Sequence, residues 1–395
     1  GCTQPGKYWS GIEVWGNGLV SHPPLSQITS SIYPYLPDHH GVVILANCDI
    51  TKAHIGVLTD NLANNGHETY WQPYGTWGKH YGGIVYALKS TFSDNLRAAH
   101  IAAFPANLTG APIGATNLSQ FVSCIIQDPS NISTRGISVW GSEGVLLQGN
   151  DFIGLNSYSL SFDNATGEVF QNNFKNFETG IKITNTAGFT AGFNMEIGRL
   201  SDPTKGNDFL NGSLVGVWAE NAQNLEIHYN TFETNLLPIA ISGPSFYRVT
   251  HNSFIDFFRG VQLQNTFALG DLAWFNCNYF EETANVQGVT IWGNNREFEF
   301  NQETFNIPAG QDMRLTDSGI ILGEIDAGQG SATNPLLNLF SGTQHIIAPP
   351  AETNSFFYFH PGTNLTTAFP TLTFVPDNTG QNFTNVSITK AFDEY

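Results

Sequence analysis

Six segments of the chain that read Asn-x-Phe form a series with nearly constant spacing. The steps from one Asn to the next are 22, 35, 23, 22 and 26 residues. A fixed period of this length with one longer step is typical of a solenoid that carries an inserted loop. The repeat therefore limits this part of the chain to a stack of similar coils. The repeated residues are Asn150, Phe152, Asn172, Phe174, Asn207, Phe209, Asn230, Phe232, Asn252, Phe254, Asn278 and Phe280.

The residues around each repeated Asn alternate in the way that strands do. Apolar side chains stand three and five positions before the Asn, as Val145 and Leu147 do before Asn150. A second strand begins with Gly after the Phe, as in residues 288–291, where Val and Ile alternate with Thr. Each coil is therefore predicted to hold at least two strands of three to five residues, which are stable only when stacked on neighbouring coils.

The repeated letters themselves predict packing rather than chemistry. Asn tolerates left-handed backbone angles, so we expect the Asn residues to take such angles at the turn. Their side-chain amides, one coil apart, are expected to hydrogen-bond in a ladder along the solenoid axis. Each Phe is expected to point inward and to stack on the Phe of the coils above and below.

The repeat predicts the domain organisation. Related strand phrases at residues 11–16 and 136–141 extend the coils upstream, and Cys48 and Cys124 take the turn position that Asn holds later. We assign residues 1–296 to β-helix coils with loop insertions at 61–82 and 187–206. Residues 297–395, where the Asn-x-Phe register is lost, are assigned to irregular final coils or a β cap. Apolar strands are predicted there at residues 320–322, 345–347, 356–359, 372–375 and 386–388.

Composition narrows the class of protein further. With 40 Gly and only 12% charged residues, the chain is predicted to be all-β. No run of eighteen apolar residues is present, so no membrane span is expected. The net charge of −18 argues against nucleic acid and anionic membranes as partners. It also disfavours an acidic polysaccharide, unless calcium bridges the two.

Cysteine and histidine give no strong sign of a disulfide framework or a metal site. Cys48, Cys124 and Cys277 lie at or beside turn positions and are expected to be buried small side chains, although pairing among these three and Cys2 stays open. His228 and His251 precede their turn Asn by two positions and one, so they need not face the same way. We expect both to be solvated surface residues and predict no metal site, since zinc needs three or four converging ligands.

Two carboxylate pairs are the candidates for catalysis. Asp256 and Glu282 follow the turn Asn by four residues in consecutive coils, and Glu233 and Glu281 follow it by three in coils two apart. At a coil spacing of about 4.8 Å, the first pair is near the spacing of a retaining glycosidase and the second near that of an inverting one. Catalysis, calcium binding and plain solvated turns are the alternatives, and the last is favoured.

The outward positions of the strand that begins with Gly give no further support for catalysis. No Asp-Asp pair occurs in the sequence, and no Lys/Arg cluster of the kind that uronate lyases need is visible there. These outward positions are Ser138, Lys182, Trp218, Gln262 and Thr290.

The strongest interaction signal is the aromatic, Gly-rich loop at 61–82. A loop of this kind on a rigid scaffold suits stacking on sugar rings or contact with a protein partner, and the alternative is that it folds back over its own solenoid. The candidate ligand-binding or partner-binding side chains are Tyr70, Trp71, Tyr74, Trp77 and Tyr81.

Three longer segments carry a resemblance to a known group of proteins. Residues 9–17, 43–57 and 136–152 resemble the β-helical stretches of large secreted surface proteins of Bacteroidota, and the resemblance covers most of residues 9–300. It implies a pectate-lyase-like, single-stranded solenoid, the right-handed parallel β-helix. It also implies export by the type IX system and an extracellular or cell-surface location.

The function expected from the sequence is therefore that of a non-enzymatic extracellular surface protein. It is either structural, as a fibre or sheath subunit that self-associates through unpaired strand edges at its abrupt ends, or adhesive towards other cell-surface proteins or polysaccharide. A β-helix polysaccharide hydrolase, lyase or polysaccharide-binding module is the first alternative. A calcium-stabilised adhesin is the second, and no other cofactor is expected.

Overall fold

In this computed structural model, short parallel strands make up nearly all of the regular structure. The chain divides into two compact units, residues 1–196 (unit 1) and 197–395 (unit 2). The structure describes residues 8–14, 16, 22, 41–59, 82–101, 116–132, 135–185, 194–222, 224–243, 245–266, 273–284, 286–292, 294–295, 298–316, 324–325, 344–347, 357–361 and 387–391.

Three parallel sheets form unit 1, and in each sheet the strands follow one another in chain order. Sheet 1 contains β1 (Ile12–Glu13), β4 (Ile55–Leu58), β7 (Arg97–Ile101), β10 (Arg135–Trp140), β13 (Tyr158–Asp163) and β16 (Thr179–Thr184). Sheet 2 contains β2 (Val42–Ala46), β5 (Ile84–Leu88), β8 (Gln120–Val122), β11 (Val145–Gln148) and β14 (Gly167–Phe170). Sheet 3 contains β3 (Asp49–Thr51), β6 (Thr91–Ser93), β9 (Ile125–Gln127), β12 (Asp151–Ile153) and β15 (Asn173–Lys175).

Unit 2 repeats the same three-sheet plan. Its sheet 1 contains β19 (Val215–Glu220), β22 (Leu237–Ser242), β25 (Arg259–Gln264), β28 (Gln287–Trp292), β32 (Gln311–Thr316) and β34 (Gln344–Ile347). Its sheet 2 contains β20 (Leu225–His228), β23 (Tyr247–Thr250), β26 (Ala273–Asn276) and β30 (Phe298–Asn301), and Ile197, the last residue of the sheet 2 strand β17 (Met195–Ile197), is the first residue of unit 2. Its sheet 3 contains β18 (Asp208–Leu210), β21 (Thr231–Asn235), β24 (Ser253–Phe257), β27 (Tyr279–Glu281) and β31 (Thr304–Asn306).

A few elements lie outside this plan. A 3-10 helix spans Pro203–Lys205. Strand β29 (Asn294–Asn295) pairs with β33 (Glu324–Ile325), and β35 (Phe357–Pro361) pairs with β36 (Ser387–Ala391), both in parallel. Among the residues that the structure describes, no helix has the length and apolar character needed to cross a membrane.

Each coil takes one strand from each sheet, so a coil has three strands. In unit 1, β11 is followed by Asn150, then by β12 and β13. The third strand arises because Phe152 lies in a strand of its own and is not part of the turn. Its ring is fully buried, as are Val145 and Leu147 of the preceding strand. The period-two pattern thus places the apolar side chains inside the coil and the polar ones outside.

The Asn side chains of unit 2 form a continuous hydrogen-bonded ladder. The Oδ1 of Asn230 accepts from the backbone N–H of Asn207 at 3.0 Å and from its Nδ2 at 2.8 Å. Asn252 accepts from Asn230 in the same way, at 3.0 Å for both donors. Asn278 in turn accepts from Asn252 at 2.9 and 3.0 Å. Each amide therefore satisfies buried polar groups of two coils.

Unit 1 has the same ladder with other residue types at its upstream rungs. Asn150 donates from its backbone N–H and from Nδ2 to Oδ1 of Asn172, both at 2.9 Å. The backbone N–H of Cys124 donates to Oδ1 of Asn150 at 2.9 Å. The N–H of Cys48 donates to Oγ of Ser90 at 3.1 Å. Cys48 and Cys124 thus contribute to the ladder through their backbone N–H donors, so a small side chain is sufficient at these two positions.

The expectation that the ladder Asn residues take left-handed angles is wrong. In five of the six segments the left-handed residue is the one before the Asn, with φ of 65° at Gly149, 58° at Gln171, 55° at Tyr229, 57° at His251 and 57° at Cys277. The exception is Gly206, before Asn207, which has a φ of −67°. A left-handed residue redirects the chain, so that the Asn side chain after it points inward. The Asn is then buried, where the next coil is within hydrogen-bonding distance.

The repeated Phe rings stack inside each unit. In unit 1, the ring centroids of Phe152 and Phe174 are 4.9 Å apart, and the two planes differ by 6°. In unit 2, the column has centroid distances of 4.6, 5.3, 4.6 and 4.7 Å along Phe209, Phe232, Phe254, Phe280 and Phe305. These fully or almost fully buried rings supply a large apolar area to the core of each coil.

The stack explains why three sheet 1 strands of unit 2, β19, β25 and β28, carry Gly at their second position. A Cβ on Gly260 would lie 2.8 Å from the ring of Phe280 and 2.6 Å from the carbonyl oxygen of Gly288. A Cβ on Gly288 would meet the ring of Phe305 at 2.9 Å. Glycine therefore lets these strands lie close to the aromatic column, whereas β22 and β32 carry Pro238 and Asp312 at that position.

Regular coils continue beyond the last Asn-x-Phe segment. Strands β30, β31 and β32 form a further coil, with Phe300 and Phe305 buried. Glu303 takes the ladder position in this coil and is completely buried. Strands β34, β35 and β36 overlap three of the strands predicted downstream, at residues 345–347, 356–359 and 386–388. The predicted strands at 320–322 and 372–375 lie outside the described residues.

Candidate functional site

The outer side of sheet 1 in unit 2 carries a regular array of polar and aromatic side chains. Residues 261–264 of β25 alternate between buried and partly exposed, and backbone pairing places residues of neighbouring strands in rows across the coils. One row joins Arg259, Gln287 and Gln311; the next joins Gln262, Thr290 and Arg314; the third joins Gln264, Trp292 and Thr316. We call the side chains of the first two rows together with Trp292 and Phe258 the arginine face.

Arg259 is held between two aromatic rings of the arginine face. Its guanidinium carbon lies 5.6 Å from the ring centroid of Phe258 and 5.7 Å from that of Trp292. Its Nη1 is 3.4 Å from Oε1 of Gln262 on the same strand. Burial lowers the pKa of Arg259, and the positive charge of Arg314 adds to that effect. Cation–π contacts of this kind fix the guanidinium as a preformed donor.

Arg314 lies two coils further along and three positions along the strand. Its Nη1 is 3.4 Å from Oε1 of Gln311. Between the two arginines, Thr290 donates from Oγ1 to Oε1 of Gln287 at 2.9 Å and is only 1% exposed. The Gln side chains thus direct their oxygens to neighbours on the protein, and each also carries an amide N–H₂ group that can act as a donor.

The sequence did not reveal the arginine face. Gln262 and Thr290 were predicted to be outward, and they do share a row with Trp218 through Ala240. Arg259 stands just before the Gly of its strand, at a position where the residue type differs from coil to coil. Arg314 lies beyond the end of the Asn-x-Phe register, in a strand where Asp312 replaces the Gly. Strand pairing places Arg314 in the row of Gln262 and Thr290, and no repeated residue in the sequence marks this register.

A second aromatic-arginine group lies on the outer side of sheet 2 in unit 2. Backbone pairing aligns Glu226, Arg248 and Trp274 in one row. The guanidinium carbon of Arg248 lies 5.5 Å from the ring centroid of Trp274 and 5.6 Å from that of Phe246. Its Nη1 is 3.5 Å from Oε1 of Glu226. Trp274 is 45% exposed, so Arg248 supports a ring that faces solvent.

The prediction that His228 is a solvated surface residue is wrong. The side chain is completely buried, with Nε2 2.9 Å from Oε2 of Glu226 and Nδ1 2.7 Å from Oγ1 of Thr250. The hydrogen bond from His228 is the main cause that lowers the pKa of Glu226. The carboxylate can only accept, so Nε2 carries the proton of this bond. The expectation holds for His251, which is exposed and stacks on Tyr229 at 4.7 Å.

The four candidate catalytic carboxylates lie on or beside sheet 3 of unit 2. Asp256 is exposed and accepts from Oγ1 of Thr234 at 3.1 Å. Glu282 accepts from the backbone N–H groups of Thr283 at 2.6 Å and Ala284 at 2.9 Å, so its carboxylate closes its own turn. Both carboxylates of the first pair are therefore held by groups of their own coil or the coil before it.

The second carboxylate pair shares a row. Glu233 pairs with Ile255, and Ile255 pairs with Glu281, so an apolar side chain separates the two exposed carboxylates. Within the described parts of the chain, no three His, Cys, Asp or Glu side chains come together in an arrangement that could hold a metal ion.

Unit 1 contains a buried polar network that sequence reasoning also missed. Nδ1 of His100 lies 2.7 Å from Oγ of Ser138 and 3.2 Å from Nη1 of Arg97. Burial, helped by the positive charge of Arg97, holds the pKa of His100 well below its usual value. The imidazole is therefore neutral. All three side chains are at least nine-tenths buried, so the network is placed to support sheet 1 and not to meet a substrate.

The remaining sequence candidates lie in other parts of the chain. The aromatic loop residues Tyr70, Trp71, Tyr74, Trp77 and Tyr81 lie outside the described residues, as does Cys2. Cys48, Cys124 and Cys277 are free thiols, of which Cys124 is buried and the other two half-buried. The expectation that the cysteines are buried small side chains therefore holds for Cys124, whereas Cys48 and Cys277 are only partly buried.

Comparison with known proteins identifies the fold class. The family model described as a right handed beta helix region matches residues 135–305. Together with the three parallel sheets, this match shows that the chain has the right-handed parallel β-helix fold, and it confirms the predicted fold class. The comparison with curated proteins and the comparison with solved structures each gave no match. The description of the family names a fold and no activity.

Proposed function

We propose that the chain is a non-enzymatic extracellular surface protein that works by adhesion. One observation carries the proposal: two outer sides of unit 2 hold solvent-facing aromatic rings against arginine. Phe258, 53% exposed, packs beside Arg259 on sheet 1, and Trp274, 45% exposed, packs beside Arg248 on sheet 2. Aromatic residues and Arg are the side chains most enriched at binding interfaces.

The rigidity of the sheets supports this role. Trp274 stands on β26, which pairs with β23 and β30, and Phe258 is the single residue between β24 and β25. The interior of the coils is packed with stacked Phe. A ring that is already fixed loses little conformational entropy when it binds. Polysaccharide, another cell-surface protein and a second copy of the chain are partners that such a surface can serve. Sugar stacking is favoured because each exposed ring has a polar neighbour that can donate hydrogen bonds.

The placement of the carboxylates favours adhesion over hydrolysis. A glycosidase needs one carboxylic acid and one carboxylate facing a common space. Asp256 and Glu282 are held by Thr234 and by the turn after Glu282, and Ile255 stands between Glu233 and Glu281. An extracellular location fits the proposal because the free polysaccharides and surface proteins that an adhesin binds are found there.

The proposal is tested by an adhesion assay with the purified chain on surfaces coated with a panel of neutral and acidic polysaccharides. The variant F258A/W274A removes the two supported rings, and I44A/L88A removes two exposed apolar side chains of unit 1 that neither the sequence nor the strand pairing places next to an arginine. We expect F258A/W274A to lose at least tenfold in adhesion and I44A/L88A to stay within twofold.

Two results would overturn the proposal. One is equal adhesion by both double variants and the native chain. The other is release of soluble sugar fragments that disappears in D256N or E282Q. A chelator arm is part of the same assay, and adhesion that is lost only with chelator would replace this account with that of a calcium-stabilised adhesin.

A further inference from the structure

The arginine face carries positive charge that the described protein does not neutralise. The sequence has 15 Lys and Arg against 33 Asp and Glu, so positively charged side chains are the minority in this chain. Arg248, by contrast, is within 3.5 Å of Glu226. Arg259 and Arg314 contact Gln oxygens and, in Arg259, aromatic rings, and within the described residues neither forms an ion pair with a carboxylate.

Among the side chains that the structure describes, the arginine face contains no acidic one. Its two rows hold three Gln, Thr290 and the two arginines, with Phe258 and Trp292 beside them. The positive charge of Arg314 acts unfavourably on that of Arg259. Anionic groups bound at the two guanidinium groups would offset this repulsion.

We propose that the arginine face binds a glycan that carries carboxylate or sulfate groups. This inference rests on the proposed adhesive function and names the class of ligand at one of its two surfaces. Arg259 and Arg314 bind the anionic groups through the fork of guanidinium N–H donors. The Gln amides donate to sugar hydroxyl groups, and Phe258 and Trp292 supply ring faces for stacking.

The spacing of the arginines suits a polymer. They stand two coils apart, which is about 10 Å along the stack of strands. A polysaccharide with an anionic group on every unit or every second unit presents charges at repeated intervals, so one chain can contact both arginines. A single small anion cannot span this distance.

The negative charge of the whole chain does not cancel this local attraction. At physiological ionic strength the Debye length is about 8 Å, so carboxylates far from the arginine face are largely screened. Contact pairs between guanidinium and carboxylate or sulfate are screened much less once sugar and aromatic rings have displaced water.

The test is a direct binding titration of the full chain with four polymers. Polygalacturonate carries carboxylates, heparin carries sulfates, dextran is a neutral polysaccharide, and poly-glutamate is an acidic polymer without sugar. We expect binding of polygalacturonate, heparin or both, with dextran and poly-glutamate at least tenfold weaker. The stronger of the two acidic polysaccharides identifies the anionic group.

Variants connect this binding to the arginine face. R259Q/R314Q removes both charges, and R199Q/K205Q removes two positive charges elsewhere in unit 2 as the matched control. Because a charge-assisted hydrogen bond contributes about tenfold or more in affinity, we expect at least a tenfold loss in the first variant and less than twofold in the control. If R259Q/R314Q does not fold, the single variant R314Q, at a half-buried side chain, carries the same expectation.

Several outcomes would overturn the inference. Equal losses in the two double variants would mean that only net charge matters, and equal binding of poly-glutamate would mean that sugar is not recognised. The inference would also be overturned if neither polygalacturonate nor heparin bound to the protein. If R259Q/R314Q adheres like the native chain while F258A/W274A does not, the adhesive function stands and this ligand assignment fails.

Discussion

Asn278 donates a hydrogen bond from Nδ2 to Oε1 of Glu303 at 3.1 Å, which joins the last Asn of the ladder to a completely buried carboxyl group. Burial raises the pKa of Glu303 well above its usual value, although its hydrogen bonds with Asn278 act in the opposite direction. A neutral carboxyl group fits this rung because every other rung of unit 2 is an uncharged amide.

Glu303 therefore makes the stability of the protein depend on pH. Below the pKa of the unfolded chain, Glu303 is protonated in both states and has no effect. Above it, the folded state holds one proton more than the unfolded state, so this group lowers the free energy of unfolding as the pH rises towards its folded pKa. We expect E303Q to be more stable than the native chain at pH 7, by about 1 kcal/mol or more.

Denaturant unfolding of E303Q and the native chain between pH 4 and pH 8 measures this effect. The difference in free energy of unfolding should shrink towards acid pH. E281Q, at an exposed carboxylate of the neighbouring strand, is the control and should change stability by less than about 0.5 kcal/mol. Destabilisation by E303Q at every pH would contradict the burial argument.

Glu226 should give the opposite pH dependence. Its pKa is lowered, chiefly by the hydrogen bond from His228, so the carboxylate form stabilises the folded state above the unfolded pKa. That stability is lost as the pH falls through the folded pKa of Glu226. We expect E226Q to be less stable than the native chain at pH 7, by up to about 1 kcal/mol for this half-buried group, and equally stable once the pH is below that pKa. Thermal unfolding at several pH values measures the difference in stability between E226Q and the native chain. A difference that stays unchanged in acid would contradict the role assigned to the charge of Glu226.

The Phe column predicts the energetic cost of removing a ring. F254A deletes a buried ring that stacks on Phe232 at 5.3 Å and on Phe280 at 4.6 Å, and should lower the free energy of unfolding by about 3 to 5 kcal/mol. F258A, four residues later in the sequence, removes a ring that is 53% exposed and should cost less than about 1 kcal/mol. Chemical denaturation of both variants compares them, and similar losses would mean that the stack contributes nothing beyond ordinary surface packing.

The Asn ladder predicts a strong preference for an amide. Nδ2 of Asn252 donates to Oδ1 of Asn278 and to the carbonyl oxygens of Ile227 and Thr250. N252D puts an oxygen in the place of this donor and faces it with three acceptors, so we expect a loss of about 3 kcal/mol or more. N306D, at an exposed Asn, should change stability by less than about 0.5 kcal/mol. Equal effects of the two substitutions on the melting temperature would show that the ladder amides are replaceable.

The Asn-x-Phe period predicted the fold class because each repeated residue has one dominant physical role. A buried Phe and a buried amide recur only when identical coils are stacked. The turn geometry was less predictable, since the left-handed position before the Asn is held by Gln171, Tyr229, His251 and Cys277, which share no chemical property. That position faces outward, and its identity is therefore free to vary while its backbone angle is not.

The candidate site was less predictable than the fold. Arg259 and Arg314 are 55 residues apart in the sequence, and only the register of β25, β28 and β32 places them on one face. The burial of His228 depends on its contacts with Glu226 and Thr250, one of which comes from the next coil. Periodicity shows which side of a strand a residue occupies, but it does not show which outward side chains are then covered by their neighbours.

The most direct test of the account is to measure binding and cleavage in the same sample. The native chain is incubated with polygalacturonate and with heparin, the bound fraction is determined by co-sedimentation, and the polymer length is determined after release. The account predicts that at least one polymer binds through Arg259 and Arg314 and is recovered at its original length. A polymer that is shortened by the native chain and left intact by D256N or E282Q would contradict it and would make those carboxylates the centre of an enzyme.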